Sequence, residues 1–212
     1  MYLYFNNIGI PLFFIGVVLL IIILIRLWKQ KDNHSYLFFF SLFWIYLMLG
    51  IDKVFFPLEI NGIYVDEMRQ VPILAFINLK PFFLSIDNVT VAMTRQLINN
   101  VILTIPFGFG LNFLTPVKTR KVVVISIALG IGVEVMQLFL SLILGYPYRV
   151  IDIDDALCNM VGVLLGYGLF KLFAYLYLAM MRDSEDAKSG LALYLDNVVH
   201  QRDQSYKDIS DL

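Results

Sequence analysis

The chain is predicted to be an all-α integral membrane protein, a bundle of about five transmembrane helices with short interfacial or re-entrant helices in one long connecting segment. Three observations predict this. Of 212 residues, 59% are hydrophobic and 16% charged, and the mean hydropathy is +0.77, whereas soluble domains are roughly 45–50% apolar. The apolar residues fall in blocks of roughly 17–25, the length a helix needs to cross hydrocarbon. In three of those blocks polar residues recur at helical spacing, so each of the three keeps one polar stripe. Lipid offers no water to an open strand edge, so the Val-, Ile- and Phe-rich runs read as helices against their β propensity.

The first span runs from Ile10 to Trp28, the second from Tyr36 to about Phe56, and the third from Leu97 to Leu114. The fourth covers Val122 to Leu144 and the fifth Ile153 to about Met180. Met1 to Pro11 holds no Lys or Arg and no small-residue cleavage site follows, so the first span is expected to stay in the mature protein. Arg26, Lys29 and Lys31 sit between the first two spans, and Lys118, Arg120 and Lys121 between the third and fourth. Short basic connections belong on the cytoplasmic side, which puts the N-terminus outside and the C-terminus inside, where Lys171, Arg182 and Lys188 flank the last helix end. The outer side receives the long segment Pro57 to Gln96 and the short loop Gly145 to Ile151. The long segment is too apolar for a solvated linker, and two short helices are expected in it. Residues 1–181 then form the bundle, and 182–212 a polar cytoplasmic tail, expected to be mobile, with a short amphipathic helix around Leu191 to Val199.

Polar groups inside a span are costly, and each needs a reason. In the fourth span Gly130, Glu134, Gln137 and Ser141 share a stripe roughly 60° wide, with Glu134 on the order of 15 Å from the outer helix end. The fifth opens Arg149-Val-Ile-Asp152-Ile-Asp154-Asp155, and Asp155, Asn159, Gly162 and Gly166 share one face, a polar outer end followed by a groove of small residues for a neighbouring helix. In the third, Asn100 and Thr104 precede Pro106, which removes a backbone hydrogen bond, and Gly108 and Gly110 loosen the helix further. Three polar stripes at similar depth predict one pocket, with Glu134, Arg149, Asp155 and Asn159 converging and Asn100 and Gln137 lining it.

The run Asn100 to Phe109, then Glu134-Val-Met-Gln137, then Arg149 through Asp152, Asp155, Asn159 and Gly162 resembles the VanZ-like family of bacterial membrane proteins, as does Asn78-Leu-Lys-Pro81-Phe82 upstream. The resemblance covers roughly residues 78–171. Gly145-Tyr-Pro-Tyr stands before Arg149 where the family commonly has Gly next to the Arg, and Ala156 replaces a bulkier apolar residue. The resemblance implies a place in the bacterial cell membrane and a role at the envelope, since the family's namesake is associated with resistance to the glycopeptide teicoplanin; it implies no settled reaction.

Each polar residue also has a plainer reading. Asp152 is a natural N-cap, with Asp154 and Asp155 in the favoured first turn. Arg149 reads as an interfacial anchor, as an ion-pair partner of Asp152, or as a bidentate holder of phosphate or carboxylate. Glu134 reads as a functional group or as a protonated carboxyl bonded across helices to Asn100 or Asn159. Cys158 is a small buried hydrophobe that excludes an internal disulfide, and His34 and His200 lie far from the stripes. With a net charge of -1 and no run of five or more like charges, nucleic acid is not an expected partner; the bilayer is, and so is a cell-wall precursor or glycopeptide-related ligand. No nucleophile elbow, P-loop or HExxH pattern occurs, so no catalytic residue is assigned. The leading expectation is an outward-facing pocket for an anionic lipid-linked or peptide cell-wall ligand. The alternative is an intramembrane hydrolase or transferase in which Glu134, Asp152 and Asp155 hold Mg²⁺ or Ca²⁺.

Overall fold

A computed structural model describes residues 9–30, 34–56, 58–81, 90–181 and 190–210. Lys31, Pro57, Phe82, Phe83, Arg182 and Lys188, which enter the sequence arguments, lie outside these. The described residues form α1 (Gly9–Gln30), α2 (His34–Phe55), α3 (Ile63–Met68), α4 (Val91–Leu114), α5 (Thr119–Leu144), α6 (Ile153–Met181) and α7 (Gly190–Ser210). A 3-10 turn, Ile73–Phe76, and two strands, β1 (Ile77–Asn78) and β2 (Ile151–Asp152), complete them. The chain is an all-α membrane protein. Among the described residues four helices are long and apolar enough to cross a membrane, α2, α4 from Met93, α5 and α6, and α1 carries a shorter apolar stretch, Phe14–Trp28.

The bundle is built around α6. Both α4 and α5 pack on it, α2 lies on α4, and α1 on α2. Between α4 and α6 the contact is backbone against backbone. A Cβ on Gly108 would overlap the Val163 carbonyl, one on Gly162 the Thr104 hydroxyl and the Val101 carbonyl, and one on Gly166 the Ile105 carbonyl. On α5, a Cβ on Gly130 would stand 2.5 Å from the Ala156 carbonyl oxygen. Without a hydrophobic drive between helices in lipid, such close approach supplies the van der Waals contact that holds them. The Thr104 hydroxyl fits this seam because it donates to the Asn100 carbonyl of its own helix at 2.9 Å. Pro106 lies in the interior of α4, which runs through it as one α-helix.

Burial follows the sequence stripes. On α5 the buried residues are Val122, Ser126, Gly130, Glu134, Gln137 and Ser141, while Val124, Ile131, Val135, Phe139 and Leu142 are exposed. On α6, Asp155, Asn159, Gly162 and Gly166 are buried, and Val161, Leu165 and Leu172 exposed. The polar groups of these stripes face protein, with Val163, Tyr167 and Phe170 packed inside beside them, while many large apolar side chains face out, as a bilayer requires.

Differences from the sequence reading lie mostly at the helix ends and in the connections. Helix α4 starts at Val91 rather than Leu97 because the Thr90 side chain caps it, accepting from the Met93 N–H at 3.2 Å. In the long connection α3 and the 3-10 turn occupy the place of the two expected short helices. Beyond them β1 pairs with β2 in parallel, Ile77 opposite Ile151 and Asn78 opposite Asp152. Helix α5 ends at Gly145, whose φ of 73° is left-handed and whose N–H reaches the Ser141 carbonyl at 3.0 Å, so the chain reverses directly into Tyr146-Pro-Tyr-Arg. The tail is more structured than its polarity suggests. Helix α7 packs against α2, α4 and α6, its Tyr194 stacks on Phe39 and donates to the Phe113 carbonyl. Burial pushes the Tyr194 phenol up to about 12, so it stays a neutral donor.

Candidate functional site

The polar stripes of α4, α5 and α6 meet where the α5–α6 connection and the end of α2 also arrive. They enclose a cavity of roughly 840 Å³, within the range typical of small-molecule sites. Six of the expected residues, Asn100, Glu134, Gln137, Arg149, Asp155 and Asn159, line it. Asp152 is not among the lining residues and anchors the rim instead.

Glu134 comes from the middle of α5 and is 7% exposed. Its Oε2 accepts the Asp152 backbone N–H at 2.9 Å. It therefore reaches the first residues of α6 through the main chain, and the expected bond to Asn100 or Asn159 gives way to this one. Asp152 caps α6 as anticipated, its Oδ1 accepting the Asp154 N–H at 2.9 Å. Its Oδ2 accepts from Asn78 Nδ2 at 3.1 Å, which fixes the β1 segment beside the cavity. With both oxygens used in this way, the expected ion pair to Arg149 is not formed. Arg149 turns to the Phe56 carbonyl at 3.4 Å, a long and weak contact. Asp155 accepts from Gln96 Nε2 at 2.6 Å, and Asn100 lines the cavity with it. Gln137 touches the Val54 carbonyl at 3.5 Å. Asp154 is buried at the same helix start, and Gly108, Gly162 and Gly166 serve the α4–α6 seam beneath, whereas Pro106, expected to pack there, is exposed.

Several lining residues escaped the sequence reading: Lys53, Arg95, Gln96, Asn99 and Tyr148. Gln96 had a signal, since Gln96, Asn100 and Thr104 continue one stripe at i, i+4, hidden by the late start assigned to α4. The Tyr148 hydroxyl is buried with no hydrogen-bond partner among the described residues. Burial pushes its phenol up to about 12, with Arg149 acting to lower it and Glu134 to raise it, so this hydroxyl stands within the field of both. In the same loop the Tyr146 hydroxyl donates to the Glu59 carbonyl, and burial raises that phenol too.

The metal alternative fits poorly. Among the described residues no group of three His, Cys, Asp or Glu side chains is placed to hold an ion. Asp152 spends both carboxyl oxygens on N–H donors, whereas hard cations need several converging oxygens.

Comparison with curated proteins and with solved structures gave no match. A family model, VanZ/LLP1, matches residues 43–174. That stretch is more than half of the chain, starts within α2 and holds every cavity-lining residue, so the chain belongs to the VanZ/LLP1 family.

Proposed function

We propose that this chain is a multi-pass protein of the bacterial cell membrane that binds an anionic lipid-linked or peptide ligand of the cell wall in this cavity, and thereby alters susceptibility to glycopeptides such as teicoplanin. The observation that carries the proposal is the cavity's charge pattern. Lys53, Arg95 and Arg149 line it, and among the described residues none of them forms an ion pair. Three unneutralised cations around one concavity favour phosphate or carboxylate, which Arg149 can hold by two N–H donors. The resistance role rests on family membership.

Arg95→Gln and Arg149→Gln each remove one of the positive charges that line the cavity while keeping a polar side chain. Expressed at wild-type abundance in the membrane, both variants should lose any protection against teicoplanin, read as a fall in the inhibitory concentration to that of the deletion strain. Retained protection in both would sink the reading that these cations hold the ligand.

In the proposed orientation the cavity opens outward, the basic α4–α5 connection faces the cytoplasm and the N-terminus lies outside. In a Cys158→Ser background, Leu79→Cys should react with an impermeant thiol reagent in intact cells and Lys121→Cys should not. Labelling at Lys121→Cys with Leu79→Cys protected would invert the topology.

A further inference from the structure

The proposed binding reading leaves open what lies at the far side of the ligand's anionic group. Glu134 accepts from the Asp152 main chain and Asp155 from Gln96. Both donors are neutral. The two carboxyls are 7% and 9% exposed, and Asp155 is among the charged neighbours of Glu134. Neutral donors orient a buried carboxylate but leave its charge, and that of its neighbour, uncompensated. The cavity's own cations do not do so, since neither carboxyl forms an ion pair with Lys53, Arg95 or Arg149 among the described residues. Positive and negative groups thus share one space without pairing. Tyr148, its hydroxyl without a partner among the described residues, feels Arg149 on one hand and Glu134 on the other.

A ligand complementary to this arrangement is itself dipolar. Resting only on the anion-binding part of the reading above, and with a membrane lipid instead of a cell-wall ligand as occupant, we propose that the cavity takes a phospholipid headgroup in which a phosphate diester carries a primary amine. Its phosphoryl oxygens take the N–H groups of Arg149 and the hydroxyl of Tyr148, and its ammonium lies between Glu134 and Asp155. Three ammonium N–H groups suit two carboxylates, whereas a quaternary amine has no N–H and a glycerol headgroup has no charge to offset theirs. The remaining walls favour a lipid over a free phosphoamine. Val54, Ile102, Leu103 and Val133 line the same cavity, and Ile102 is 59% exposed on a membrane-length helix, which gives an acyl chain an apolar path from the headgroup into the bilayer.

The test is binding of short-chain phosphatidylethanolamine, phosphatidylglycerol and phosphatidylcholine to the full chain in detergent, by native mass spectrometry, beside water-soluble phosphoethanolamine. Phosphatidylethanolamine should bind about tenfold or more tighter than the other three, the margin expected of a desolvated charge contact. Glu134→Gln or Asp155→Asn, whichever keeps the wild-type thermal midpoint, should bring it down to the level of phosphatidylglycerol. Arg149→Gln should weaken all three lipids. Phosphatidylglycerol binding as tightly as phosphatidylethanolamine, or a preference that survives both carboxyl variants, would overturn the dipolar assignment and leave the anion site standing. Phosphoethanolamine binding as tightly as the lipid would overturn the lipid assignment. Lipid binding unchanged by both Arg149→Gln and Tyr148→Phe would remove the site itself, and the inference with it.

Discussion

Gly162→Leu and Gly166→Leu should each abolish the folded bundle in detergent, while Gly168→Leu on the same helix should leave it intact. The contrast is geometric. At Gly162 and Gly166 the first added carbon already meets α4, namely the Thr104 hydroxyl, the Val101 and Ile105 carbonyls and the Phe109 amide, whereas at Gly168 it meets nothing within 4 Å. Backbone atoms in a helix cannot move aside as a flexible side chain can, so α4 and α6 must separate along the whole seam. Overpacking of a close-packed interior costs about 1–3 kcal/mol where neighbours can shift, and more is expected here because they cannot. The same argument extends to Gly108 from the α4 side, where the obstacle is the Val163 carbonyl. Thermal midpoint and monodispersity of the purified variants decide the matter. Equal losses at positions 166 and 168 would show that the helices are not in contact through their glycines.

Asp152→Ala should be the most destabilising single change outside the helix seam. One carboxylate there caps α6 through the Asp154 N–H and holds Asn78, so its loss removes a cap worth about 1 kcal/mol and leaves an amide without its acceptor, about 1–3 kcal/mol more. A lowered thermal midpoint together with faster hydrogen exchange across residues 58–81 is expected. Asn78→Ala should produce the exchange effect with a smaller loss of midpoint, since the cap survives. If exchange in 58–81 is unchanged in both variants, the Asn78 contact does not hold that segment.

What could be read from the sequence, and what could not, follows from which forces act locally. The stripe of Gly130, Glu134, Gln137 and Ser141 was legible because hydrocarbon penalises a polar side chain so heavily that helical spacing alone tells which way it faces. The groove of Gly162 and Gly166 was legible for the same reason in reverse, since small residues in lipid mark close helix contacts. The start of α4 was misplaced because Thr94, Arg95 and Gln96 interrupt the apolar signal, although Thr90 offers a cap; Gln96 was lost with them, and with it the donor to Asp155. The choice among partners of Asp152 and Glu134 lay beyond reach. It depends on a main-chain N–H and on Asn78, 74 residues away, and neither leaves a periodic trace. Two-residue strands are equally silent, being too short to alternate.

The β1–β2 pairing bears on how the protein is made. Ile77 is translated well before Ile151, and α4 and α5 lie between them, so the pair cannot close until both of those helices have entered the membrane and β2 has followed. Contacts of such long sequence separation form late, and synthesis delivers the N-terminal side first. Through much of biogenesis Asn78 waits without Asp152, and α4 and α5 meet without the start of α6 to complete the cavity. The complete cavity is therefore acquired in the last stage of insertion, and a chain halted after α5 would be embedded yet unable to form it.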